Sequence, residues 1–370
     1  MTKTHTYTNI NPIPALTWNW LRLNRATLET DVPETGGTIT VTGARDGITY
    51  TKNGTDLAAR LPVMKSGAGE DADAVMKAFS TVPAALHAKS DAEPQGSSDS
   101  EKTSSVPVLV RMQAEDKKSL VTSHVIIAEP NSIITVIMVY TSASDASGFC
   151  AEQTKIWAKE NAFVHLVKVN LLGARFTHLD DTAVYCEDRA SVTFTQIELG
   201  GQKSYAGLGT TLAGYQSSFK SDTAYHSRTS QFLDMNHAVW HKGAKTDTQM
   251  HVKGVVADEA VKIYRGTIDF QRGCAGATGD EQEETLLLSP SAVNKSIPMI
   301  LCDEEDVSGT HGATIGRLSA DELFYMQSRG ISEAEAKQMM SRAKIAAVAH
   351  LIPNQSIVTE IEAYLDKTEA

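Results

Sequence analysis

The chain has 370 residues, 41% of them hydrophobic, which is enough to bury a sizeable core as one large domain or two to three smaller ones. Its 34 Lys and Arg against 45 Asp and Glu leave a formal net charge of −11, which repels phosphate backbones and anionic membranes and argues against nucleic acid as a main partner. No basic segment followed by an apolar run opens the chain, no stretch of about 18 apolar residues occurs, and Cys150, Cys186, Cys274 and Cys302 form no C-x-x-C pair. Export, a membrane span, a disulfide framework and a self-contained zinc finger are therefore all unsupported, and a reducing cytoplasm is the expected location.

Along the chain, "LTWNWLRLN" gives a partly helical pattern in which Trp18 and Trp20 read as packing anchors. "ETGGTITVTGARDGITYTKNG" alternates like two short strands around Gly and Asp-Gly turns, and "DADAVMKAFSTVPAALHA" suits a short helix. Residues 89–105 are Ser-rich and polar, a surface loop or linker that cannot offset its ordering entropy by burial.

From Val106 onward the runs "VPVLVRMQ", "SLVTSHVIIAEP", "SIITVIMVYTS", "AFVHLVKVNLLG" and their successors to "TIDF" are rich in Val, Ile, Thr, Phe and Tyr and separated by turn residues. An all-β body follows, and spacing alone leaves a sandwich, a jelly roll and a stacked solenoid open. The last fifty residues turn helical. Ser319 with Glu322 and Ser332 with Glu335 have capping-box spacing, and Val358, Ile361 and Leu365 share one face of a third helix.

No P-loop, dinucleotide fingerprint, H-E-x-x-H or G-x-S-x-G stands in proper context. "GLGTTLAG" lacks a phosphate-neutralising Lys and reads as a strand. His226, His237, His241 and His251 crowd one region; His237 and His241 would share a face on a helix or a strand, with sheet packing as the alternative to metal binding. A second cluster, Cys302 to Asp306 with His311, combines a thiol, an imidazole and carboxylates that suit iron or zinc; a solvated acidic turn is the alternative.

The segments "KGVVADEAVKIYRGTIDFQRG" and "EQEETLLLSPSAVNKSIPMILCDEEDVSGTHGATIGRLSADELFYMQSRGIS", with Lys253 and Gly254, Tyr264 to Gly266, Ser296, Pro298, "HGATIG" and "FYMQSRGIS", resemble the SufB/SufD family of iron–sulfur cluster assembly proteins. The resemblance is strong over about residues 250 to 340, and the segment order is compatible from 106 to 370. It implies a mainly β fold, a right-handed parallel β-helix (β-solenoid) flanked by N- and C-terminal α-helical regions. The implied division is an N-terminal region 1–105 ending in the Ser-rich linker, a β-helix core 106–316 and a C-terminal helical region 317–370.

It also implies a SufC-type ATPase docked on residues 319–350 around Phe324, Tyr325 and Arg329, and a paired β-helix subunit, either a SufB-type paralogue or a second copy. A SufB-type thiol would follow Gln282, where Glu283 stands, and Thr310 replaces the acidic residue before His311. Gly309 stands where some SufD types carry a cysteine. The likeness is therefore to SufD: a non-catalytic scaffold without a nucleotide of its own, in which His311 contributes to a transient iron–sulfur cluster held mainly by the partner and Cys302 is a further possible ligand. Two other readings are a SufB-like sole scaffold working with the ATPase, and a β-helix enzyme acting on polysaccharide.

Overall fold

In the computed structural model, residues 4–15, 19–31, 34–80, 82–90 and 106–368 are described. Strands β1 (Thr4–Ile10) and β2 (Ala26–Asp31) pair antiparallel. Among the described residues between them lies a three-residue 3-10 turn, Asn19–Leu21; Trp18 falls outside the described residues, and Trp20 is 81% exposed, so Trp20 is no packing anchor. The expected strand pair appears as β3 (Thr38–Thr42) and β4 (Ile48–Thr51), followed by the helices α1 (Thr55–Ala58) and α2 (Glu70–Phe79). The expected helix over "DADAVMKAFSTVPAALHA" ends at Phe79, and β5 (Ala84–Ala88) is a strand. Pro83 has no N–H to continue a helix, and Leu86 and Ala88 are drawn into the main core.

The body is laid down by β6 (Val108–Gln113), β7 (Lys118–Ala128), β8 (Ile133–Thr141), β9 (Ser147–Ala158), β10 (Phe163–Leu171), β11 (Arg175–Cys186), β12 (Ser191–Glu198) and β13 (Lys203–Leu212). It continues with β14 (Ser218–Ser227), β15 (Phe232–His241), β16 (Asp247–Val256), β17 (Val261–Phe270), β18 (Ala277–Leu287), β19 (Val293–Cys302) and β20 (Val307–Gly316). Even-numbered strands join β3 in one nine-stranded sheet, and odd-numbered ones join β4 and β5 in another. Among β6 to β20 every pairing is parallel, to a strand two places away, so the chain winds as a parallel β-solenoid.

Each coil must turn two corners, and the turning residues adopt left-handed backbone: Asn131, Asn161, Arg189, Gln216 and Lys245 recur with φ between 55° and 62°. Asn leads this series because its short polar side chain tolerates that region. Asn161 donates to Asn131 Oδ1 at 3.1 Å and accepts from Arg189 Nε at 2.8 Å, so successive corners are laced together.

Both faces of strands such as β8 and β10 are buried, which is why they read as near-continuous apolar runs. Inward residues such as Val136, Cys150, Val164, Phe176, Phe194, Leu208 and Phe219 form the main core. Outward residues of the odd sheet, among them Val121, Phe149, Leu179 and Tyr205, are covered by β1, β2 and α2 through Ile10, Leu28, Val75 and Met76. Outward residues of the even sheet, Ile137, Val139, Val167, Val169 and Ile197, are covered by α4 (Glu333–Ala349) and α5 (Gln355–Thr368). The helix α3 (Ala320–Ser328) precedes them, and both expected capping boxes are formed, Ser319 with Glu322 and Ser332 with Glu335. Of the Ser-rich segment, residues 91–105 lie outside the described residues.

Candidate functional site

The two ends of the solenoid differ. At the first, each sheet is closed by an antiparallel strand, β3 against β6 and β4 against β5. At the other, among the described residues, β20 pairs only with β18 and β19 only with β17. All of β20 from Ser308 to Ile315 is exposed.

His311 lies on this open strand. Its register partner on β18 is Glu281, whose own partner on β16 is the core residue Met250. His311 therefore stands on the inward row of the last coil, yet it is exposed because no further coil covers it. Gly309, two residues earlier on the same row, abuts Phe270: a Cβ there would come within 2.8 Å of the ring. The packing thus gives a reason for glycine where a thiol would otherwise point into the end.

Directly beneath lies a charged pair that sequence reading missed. Glu283 points inward and pairs with the fully buried Lys262 of β17. Thr285 donates to the same carboxylate at 3.0 Å, and the Lys262 ammonium lies over the Tyr225 and Tyr264 rings at 5.4 and 5.1 Å. Burial pulls the ammonium's pKa down and Glu283 opposes it. Glu283 is thus a partner in the interior rather than a donor to the surface. Glu281 makes no such ion pair: burial pushes its carboxyl up to about 8, with Glu283 adding to the rise and the Tyr264 hydroxyl and Lys262 only partly offsetting it.

Cys302 ends β19, exposed, and its thiol donates to Glu304 O at 3.1 Å. His311 begins four residues beyond the start of the next strand, roughly 13 Å along it at ~3.3 Å per residue. The two therefore do not share one ligand sphere. Among the described residues no three His, Cys, Asp or Glu side chains converge on a metal-sized site. The four clustered candidates, His226, His237, His241 and His251, are strand residues. His237 and His241 point inward, pushed down to about 3 and about 4 by burial, while His251 donates from Nδ1 to Asp222 at 3.0 Å.

A second buried network crosses the middle coils. Lys168 donates to Glu152 at 2.7 Å and pairs with Asp180, and His124 donates to Glu152 at 3.1 Å. Burial raises Glu152, but Lys168 and His124 outweigh it and hold it ionised at about 2; burial and Glu152 raise Asp180. Each of these residues occupies an inward position of a strand, a pattern visible in sequence only once the register is known.

The helical end presents the remaining candidates. Phe324 and Tyr325 are 73% and 60% exposed, and Arg329 stacks its guanidinium 5.3 Å from the Tyr325 ring. No residue of α3 is buried, so these aromatics serve no core. Among the described residues no helix is long and apolar enough to cross a membrane.

Comparison with known proteins fits this architecture. Residues 110–344 match the family model described as "SUF system FeS cluster assembly, SufBD core domain". The chain is 26% identical over 231 residues to the iron–sulfur cluster assembly protein SufD of Escherichia coli (strain K12), a match covering 61% of this chain and 54% of that protein. It is 26% identical over 145 residues to SufD of Bacillus subtilis (strain 168), covering 39% of this chain and 33% of that one. A SufBD family protein of Staphylococcus saprophyticus matches at 30% over 128 residues, 35% of this chain and 28% of that protein. The matches thus span about half the length of these relatives or less. The match to the family model extends over more than half of the chain, from β6 through β20, and the chain belongs to the SufBD core family of the SUF iron–sulfur cluster assembly system.

Proposed function

We propose that this chain is a SufD-like scaffold subunit of a SufBCD-type complex in the cytosol, itself without catalytic activity, in which a SufC-type ATPase supplies nucleotide hydrolysis. The observation that carries this reading is the uncovered last coil with His311 on its inward row. An open sheet edge offers unpaired N–H and C=O groups to another strand. Of the two terminal strands, β19 contains Lys295 and Pro298, both features that discourage pairing, whereas β20, "VSGTHGATIG", has no charge and no proline. β20 is thus the edge on which a SufB-type paralogue, or a second copy, pairs.

The cluster is cargo assembled at that junction. One imidazole cannot hold it, and Glu283 is engaged by Lys262; the partner supplies most ligands, while His311 coordinates iron or donates a hydrogen bond that tunes the cluster. The ATPase docks over residues 319–350, with Phe324, Tyr325 and Arg329 at the centre. Lys344 of α4 donates to Glu284 of β18 at 3.2 Å, and β18 pairs directly with β20. Movement of the helices on nucleotide hydrolysis therefore has a short route to the open edge.

The test is anaerobic co-expression with a SufC-type ATPase and a SufB-type paralogue. The expected result is a complex that His311→Ala leaves intact but with lowered cluster yield. Unchanged yield removes the role given to His311, and failure to co-purify with the ATPase removes the larger assignment.

A further inference from the structure

Just inside the open end, several buried polar atoms lack partners. His237 Nδ1 and Nε2, Tyr264 Oη and Glu281 Oε2 are all enclosed without a hydrogen bond. The three side chains come from β15, β17 and β18 and converge. The His237 and Tyr264 rings meet edge to face at 5.4 Å. Gly266 is the register partner of His237 on the neighbouring strand, and the Glu281 carboxylate fills the space its side chain would take. Parallel neighbours are ~4.8 Å apart, so that carboxylate reaches within about one strand spacing of His237. The Tyr264 hydroxyl lies beside that carboxylate and partly offsets the rise of its pKa.

Orphaned buried donors and acceptors cost roughly 1–3 kcal/mol each, and native interiors keep few of them. Those on His237, which has no partner at either nitrogen, and on the converging Tyr264 and Glu281 call for an occupant. Its charge follows from the surroundings: Lys262 is committed to Glu283, so Glu281 is a carboxyl with no counter-ion. Its chemistry follows from the donors. An imidazole, a carboxylate and a phenol oxygen suit a borderline transition-metal ion, whereas Mg2+ and Ca2+ prefer all-oxygen shells.

We propose that His237, Glu281 and Tyr264 bind one divalent transition-metal ion inside the solenoid, one coil beneath His311. The phenol oxygen completes a set that His, Cys, Asp and Glu alone do not provide, and a water fills the fourth position. Entry is through the open end, where Glu281 lies in register under His311. The site does not depend on the proposed assembly role.

The test uses the full chain, metal-stripped and anaerobic, titrated with Co2+ and followed by visible ligand-field absorption and equilibrium dialysis. The His311→Ala/Cys302→Ser background removes the donors at the open end. One equivalent of Co2+ is expected to bind in that background, displaced by Zn2+ and not by Mg2+, and on the order of tenfold or more weaker in Glu281→Gln and in Tyr264→Phe. Tyr264→Phe keeps the ring and carries the test if Glu281→Gln does not fold. The proposal is overturned if Co2+ binding disappears in the His311→Ala/Cys302→Ser background, if it survives unchanged in the folded interior variants, or if the wild type binds none and the orphaned atoms are met by water.

Discussion

Replacing Lys262 by Met tests the claim that Glu283 is held inside the solenoid. The substitution keeps the unbranched apolar stem and removes the ammonium, leaving the Glu283 carboxylate, 2% exposed, without its cation. Breaking a buried pair from one side costs ~3–5 kcal/mol, and the lost contacts to two tyrosine rings add ~0.5–2 kcal/mol. The Thr285 hydroxyl still donates to the carboxylate and recovers a fraction. A loss of about 3–5 kcal/mol is therefore expected. Removing both charges in Lys262→Met/Glu283→Met should restore most of it, because an apolar pair of similar volume is close to neutral in such a place. Urea unfolding of the four proteins closes the double-mutant cycle. If Lys262→Met lies within about 1 kcal/mol of wild type, or the two single effects simply add, the pair is not coupled and Glu283 is free for another role.

Three other outcomes are expected. Burial pushes Glu198 up to about 8, with Asp180 adding to the rise against hydrogen bonds from Asn170 and Gln196. The folded state therefore holds a proton that the unfolded state releases near its ordinary 4.5, and stability falls as pH rises from about 4.5 to 8. Glu198→Gln should remove that contribution and gain on wild type across this window by an amount on the order of 1–4 kcal/mol; parallel pH profiles of unfolding free energy would refute it. Ser332→Ala deletes one half of a formed capping box and should cost ~1 kcal/mol in thermal unfolding, with a null effect showing that α4 is held by packing alone. Phe324→Ala/Tyr325→Ala should change stability by less than about 0.5 kcal/mol, since both are exposed, yet weaken capture of a SufC-type ATPase; unchanged capture places the docking face elsewhere.

The strands were legible because both of their faces are buried: runs such as "SIITVIMVY" carry their structure in Val and Ile alone, and that run is β8. The C-terminal helices were legible through caps, which are local. The solenoid was not legible from spacing. Inward partners Glu152, Asp180, Ala206, Met235 and Tyr264 follow one another after 28, 26, 29 and 29 residues, so no fixed period marks the coils. The resemblance around "HGATIG" supplied the architecture instead. Without the register, Lys168, Glu152, Lys262 and Glu283 look like the solvent-facing members of alternating strands, and their pairing inside could not be foreseen. β5 was hidden for the opposite reason: Ala-Ala-Leu-His-Ala favours helix locally, and only the waiting edge of β7 makes it a strand.

The asymmetry between the two ends of the solenoid bears on what the last coil is for. At the first end an antiparallel strand covers each sheet, and the hairpin of β1 and β2 with α2 buries the adjoining outer face. Exposed edges are normally blunted by lysine, proline, bulges or a covering helix. β19 carries two of these devices, while its neighbour β20 carries none and has no buried residue. A Cβ added at Gly312 or Gly316 would meet nothing within 4 Å, so the surface around His311 is low and unobstructed on the side away from Phe270. A bare strand of ten residues, uncharged and small, beside a strand that is guarded, is what pairing on one sheet alone requires. In the proposed assembly it would set His311 about one strand spacing (~4.8 Å) from the arriving strand, which would bring the ligands that Gly309 and Glu283 do not.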